Sequence, residues 1–159
     1  MKEKHRKAGT VILTLMGLAV LSYTVSQSSI GQQRALFLDE TGEIKAEISF
    51  ETAVTPEEKQ VGLMNRTSLR DNHGMIFVYD DAEVRAFWMK NTLIPLDIIF
   101  LDSEKRIINI EKAYPEPNTP DSELKRYRSD GPAQYVIEVN QNFTDRNNIE
   151  ESDRVEFSD

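Results

Sequence analysis

Short apolar runs, each closed off by turn residues, constrain this chain most, because they leave little room for any fold but a β-rich one. Ala46, Ile48 and Phe50 alternate with Glu47, Ser49 and Glu51, the period-2 pattern of a half-buried strand. Upstream, Ala35-Leu36-Phe37-Leu38 and the turn-rich Asp39-Glu40-Thr41-Gly42 complete a hairpin with that run. Further strands are predicted over 75–79, 85–92, 97–101, 106–112 and 134–140, with short final pieces at 148–149 and 154–157. Asp102-Ser103-Glu104-Lys105 makes a hairpin turn. Thr55-Pro56-Glu57-Glu58 is the one strong helix start: threonine caps, proline fits the first helical position, and Glu58 completes a capping box. That helix runs to about Met64. The pattern predicts a mainly β (α+β) fold, a small antiparallel β-barrel or rolled sheet with one short helix.

The first residues belong to a different physical class. Lys2, Lys4, Arg6 and Lys7 precede a stretch from Ala8 to Gln33 without any charged residue. A basic flank followed by a short apolar core, Val11 to Tyr23, is the pattern of an export signal. Small residues Thr24 and Ser26 offer a cleavage site, while the 18 residues from Ala8 to Val25 leave an uncleaved anchor open. The chain therefore divides into a signal peptide or signal anchor (1–26), a polar linker (27–33) and a single compact β-rich domain (34–159). The expected location is periplasmic or extracellular, with membrane contact only through the N-terminal segment if it is retained.

The chain has no cysteine, which removes disulfides, thiolate metal sites, cysteine nucleophiles and a lipoprotein anchor. Without residues 1–26 the body carries 15 Lys and Arg against 26 Asp and Glu, a net charge of −11. Nucleic acid is not an expected partner of such a surface, since phosphate binding rests on clustered positive charge. His73 is the only histidine of the body, so a histidine triad or multi-histidine metal site is not expected either. Asp71 and Asp80-Asp81 do not have the spacing of a calcium loop. No metal and no cofactor are expected.

The most distinctive stretch is Phe87-Trp88-Met89-Lys90-Asn91-Thr92 with Ile94-Pro95-Leu96-Asp97, which holds the only tryptophan. Together with Gly62-Leu63-Met64, Arg66, Gly74-Met75-Ile76-Phe77, Ser129, Pro132, Tyr135-Val136 and Glu138, it resembles the domain of unknown function 192 family from about residue 48 to 157. The resemblance implies a compact, often exported β-rich domain and no particular reaction. Gln141-Asn142 and Glu151-Ser152-Asp153 stand where that family's glycine-containing turns are expected.

If residues 85–92 form a strand, Trp88, Lys90 and Thr92 share one side and Phe87, Met89 and Asn91 the other. One reading is a ligand pocket with Trp88 as apolar wall, Lys90 and Arg66 as anion anchors, and Asn91 as orienting group, with Asp97 and Glu138 as partners of Lys90. The ligand would be a small molecule or an envelope protein. A second reading makes the same residues an ion-pair network that pins strands together. A third makes Asp97 and Glu138 the acid and base of a hydrolase acting on an envelope or extracellular glycan, given a suitable distance. Whether the protein is an enzyme stays open on the sequence. The proline-bearing stretch from 114 to 131 is long enough to be a lid or a variable surface loop, with a helix over 122–127.

Overall fold

The computed structural model describes residues 33–158; the stretch expected to be a signal peptide or anchor, 1–26, lies outside them. The order is β1 (Arg34–Leu38), β2 (Ile44–Ala53), α1 (Pro56–Val61), β3 (His73–Glu83), β4 (Ala86–Phe87), β5 (Leu96–Leu101), β6 (Ile107–Ala113), β7 (Tyr127–Arg128), β8 (Ala133–Asn140), α2 (Phe143–Arg146) and β9 (Arg154–Ser158). Seven strands form one sheet in the order β6-β5-β8-β3-β2-β1-β9. All its pairings are antiparallel except β2 with β3. The parallel pair follows from α1, which carries the chain back to the end of the sheet from which β2 started. The sheet curls into a half-barrel, and its two ends meet where Arg106 bridges Arg154 and the Ile107 amide donates to the Asp153 carbonyl at 2.8 Å.

Local chemistry sets the turns. Asp39 accepts from the amides of Thr41 and Glu43 at 2.8 and 2.9 Å, and Gly42 takes φ +86°. Asp102 does the same for Glu104 and Arg106, with Lys105 at φ 63°. The capping box is complete: Thr55 Oγ1 accepts from Glu58 N, and Glu58 Oε2 from Thr55 N. Helix α1 stops at Val61, earlier than the expected Met64, because Gly62 turns out of it at φ 47°.

The sheet is covered on both faces. One face packs Met75, Phe77, Leu96, Ile98, Phe100 and Val136 against Leu63, Phe87 and Met89. The other packs Ile48, Ile76, Ile99, Leu101, Ile137 and Val139 with Phe37, Phe143 and Val155. Every residue of β5 is buried as a result.

Four expectations are corrected. A second short helix, α2, follows β8, and the strand piece expected at Asn148–Ile149 is instead part of the turn that leaves it. Residues 122–127 form turns, not a helix, and end in β7. Of the strand expected over 85–92 only Ala86–Phe87 pairs, with Tyr127–Arg128; Lys90 and Asn91 lie in a turn in which Thr92 N donates to Met89 O at 3.1 Å. Asn142 and Ser152 adopt φ 65° and 73°, so the turns expected to contain glycine keep the left-handed conformation with other residues.

Gly74 faces β8, and a Cβ placed there would lie 2.7 Å from the Glu138 carbonyl oxygen. Gly74→Ala should lower stability by roughly 1–3 kcal/mol. Gly131→Ala, whose Cβ would meet nothing closer than 3.6 Å, should be neutral or gain up to about 1 kcal/mol. Urea denaturation of the two variants measures the contrast.

Candidate functional site

The motif turn is fastened from two sides. Asn65, in the turn after α1, donates its amide to the Asn91 carbonyl at 2.8 Å. On the other side, Ser129 N donates to Arg85 O at 3.0 Å and Arg85 N to Ser129 Oγ at 2.9 Å. Asn91 itself is left-handed at φ 51°, a conformation that asparagine tolerates better than most residues. Its contribution is this turn, rather than the orienting group expected of it.

Two recesses flank the turn, and Thr92 lines both. The larger, about 490 Å³, lies between Lys90, Asn91 and Leu93 and the 115–124 segment with Glu116, Thr119 and Asp121. Lys90 ion-pairs with Asp121, not with Asp97 or Glu138. The long segment is thus a wall of this cavity, braced where Tyr114 N donates to Tyr127 Oη at 3.2 Å and Lys125 N to Glu116 at 3.2 Å. Trp88 is half-buried; the Arg126 guanidinium lies 4.1 Å from its ring centroid and Lys90 Nζ 5.2 Å.

The smaller recess, about 30 Å³, is a cleft lined by Gly62, Leu63, Phe77, Phe87, Trp88 and Glu138, with Lys59 among its lining residues. Glu138 is only 5% exposed. It makes no side-chain hydrogen bond or ion pair among the described residues. Burial pushes its carboxyl up to about 8, opposed by the charge of Arg66. Arg66 is engaged elsewhere: its two terminal nitrogens reach Glu51 at 2.6 and 2.8 Å. Those bonds hold the Glu51 carboxyl down at about 2, and His73 Nε2 lies 3.3 Å from the same carboxylate. Arg66 is therefore not an anion anchor beside Lys90. Gly62 keeps the cleft open, because a Cβ there would press on Phe77 at 3.1 Å.

Asp97 belongs to neither recess. In the β5–β8 pairing Asp97 sits opposite Val139 and Ile98 opposite Glu138, so the two acidic side chains leave opposite faces of the sheet. The acid and base pairing expected for a glycan hydrolase is not formed. Asp97 is fully buried and accepts from Asn142 N at 3.1 Å, Thr144 N at 3.0 Å and Thr144 Oγ1 at 2.7 Å, with Lys112 Nζ at 3.2 Å. It caps α2 from a neighbouring strand, since Asn142 provides no side-chain cap of its own. The network reading holds for Asp97, with Lys112 in the place given to Lys90. Asp121, Glu116 and Lys59 were missed because they lie far from the motif in sequence; the length of the 114–131 segment was the only signal for the first two. Among the described residues no group of acidic and histidine side chains could hold a metal ion.

Two outcomes follow from this geometry. Asp97→Ala leaves three donors unsatisfied, while Lys112 keeps Asp145 at 3.0 Å, and should cost about 2–4 kcal/mol, read from denaturant unfolding. For Glu138, the folded state holds a proton that the unfolded chain gives up near the ordinary carboxyl range, so stability falls as pH rises from about 4.5 to 8. Relative to Glu138→Gln, the wild-type chain should lose about 1.4 kcal/mol per pH unit across that window and level off above it, checked by urea melts at a series of pH values.

The comparisons agree with the fold. A protein from Sinorhizobium meliloti 1021, named as a supposed transcription regulator, is 31% identical with TM-score 0.70, covering 79% of this chain and 92% of that one. A protein of unknown function from Novosphingobium aromaticivorans DSM 12444 is 35% identical with TM-score 0.68, covering 77% and 83%. No curated protein matches. The family match spans residues 36–157 and so takes in the β1 hairpin, upstream of the expected start near residue 48. The chain belongs to the domain of unknown function 192 family, described as Uncharacterized ACR.

Proposed function

We propose that this is an exported binding module that takes a small polar ligand, free or presented by an envelope partner, in the cavity beside the motif turn. One observation carries this reading: a cavity of about 490 Å³ whose walls offer both donors and acceptors, with Lys90 and Asn91 on one side and Asp121, Glu116 and Thr119 on the other. Convergent polar groups in a concave site of this size suit a hydroxyl-rich or zwitterionic molecule. Met89, Leu93 and Leu124 supply apolar contact for its carbon frame. The Lys90–Asp121 pair is partly exposed, so a ligand can enter between the two charges without breaking a buried ion pair.

The regulator name of the Sinorhizobium relative does not extend this reading to DNA, because a body with net charge −11 lacks the positive field that phosphate binding needs. A two-carboxylate hydrolase has no support either, with Asp97 and Glu138 on opposite faces.

A thermal-shift panel of glycans, organic acids, amino acids and nucleotides tests the proposal, since a ligand of the native state raises the melting temperature. A hit should weaken at least tenfold in Lys90→Met and in Asp121→Ala, while each variant stays within about 1 kcal/mol of wild-type stability. A panel without hits, or hits indifferent to both substitutions, would sink it.

A further inference from the structure

Glu138 presents a separate problem from the larger cavity. A carboxyl that is 95% buried beside aromatic side chains costs free energy in its charged form unless something pairs with it, and no cation among the described residues does. Arg66 is held by Glu51 in two bonds. Lys59 stands over the Tyr79 ring, 4.3 Å from its centroid, rather than on the carboxyl. What remains in front of Glu138 is a cleft of about 30 Å³ walled by Phe77, Phe87 and Trp88. That is the space of one water or one small polar head group.

We propose that the Glu138 cleft binds a primary ammonium group carried on an aliphatic stem. Three features select this chemistry. Aromatic walls and an anionic floor are the two means by which proteins hold an ammonium out of water. The cleft of about 30 Å³ matches the size of a compact –NH₃⁺ head. The acidic body draws cations toward the surface, and Lys59, the cation among the lining residues, is turned onto the Tyr79 ring. Gly62 belongs to the recognition, because any side chain there would narrow the cleft at Phe77.

Occupancy is linked to a proton. The charged groups facing Glu138 are Lys59 from α1, Arg66 from the following turn and Tyr79 from β3, whose phenol is itself raised by burial. Below about pH 8 Glu138 is protonated in the empty cleft, and an entering ammonium favours the carboxylate, so one proton leaves Glu138 for solvent as the ammonium binds. Apart from the Glu138 O–H that gives its proton to solvent, no covalent bond changes.

The chain carries its own probe in Trp88, the only tryptophan. Titrating the full-length protein with propylammonium, and separately with Nα-acetyl-lysine methylamide, should change Trp88 fluorescence. The first represents a free amine and the second the lysine side chain of a protein partner; binding of either one supports the proposal and identifies the source. Affinity should rise about tenfold per pH unit from 5.5 to 7.5. Calorimetry in two buffers of different ionisation enthalpy should show close to one proton released per site. Propan-1-ol, of the same shape, should bind at least tenfold more weakly. Glu138→Gln should lose the pH dependence and at least tenfold in affinity, whereas removal of an exposed carboxylate on the β5–β6 turn, Glu104→Gln, should leave both unchanged. Equal binding of amine and alcohol, affinity independent of pH, tighter binding of acetate or acetamide at low pH, or retention of amine binding by Glu138→Gln would each overturn it. The wild-type amine and alcohol comparison decides the matter without any variant.

Discussion

The structure depends on a sheet that is buried on both faces. With every residue of β5 enclosed, a polar side chain on β5 or on the buried middle of β8 is largely shut off from bulk water and must find a partner or sit against a recess. The two acidic residues of adjoining strands answer this in opposite ways. Asp97 collects three donors and a lysine, and so becomes the tie between the sheet and α2. Glu138, one register position away across β5 and β8, faces the other layer and collects none. The same physical demand thus produces a structural fastening on one face and a carboxyl set against an aromatic cleft on the other.

Much of the fold could be read in the sequence because its signals are local. Alternation placed β2, apolar runs placed β3, β5, β6 and β8, and the Thr55 capping box placed α1 with its stop signalled by Gly62. The motif was misread for the opposite reason. Residues 85–92 have the composition of a strand, yet only two of them find a partner strand, and the chain then turns at Asn91 with a left-handed residue. Among the described residues, six of the eight non-glycine residues at positive φ are asparagines. Asparagine thus does much of the turn work in a chain with seven glycines, and neither composition nor glycine spacing announces those turns.

The site was legible as a set of residues and illegible as a set of pairs. Trp88, Lys90 and Glu138 do border recesses, but which charge meets which is fixed by strand register and by a loop some thirty residues downstream. A shift of one residue between β5 and β8 would have put Asp97 and Glu138 on the same face. Nothing in the sequence sets that register except the summed burial of Leu96, Ile98 and Phe100 on one side and Ile99 and Leu101 on the other.

The motif turn is best understood as a partition. Its Trp88 side closes the small aromatic cleft, its Lys90 side closes the larger cavity, and Thr92 borders both. A partition must be rigid to serve two recesses, and the restraints on it are those of a fixed wall: Asn65 holds Asn91 from below, and Ser129 holds Arg85 at its entry. The opposite wall is braced at its base by Tyr127 and Glu116. Because these bonds exist before any ligand arrives, the ordering that binding usually demands of loops is largely met in advance. The two faces of the turn are thus held at a fixed separation by backbone bonds, independently of the Lys90–Asp121 ion pair on its surface.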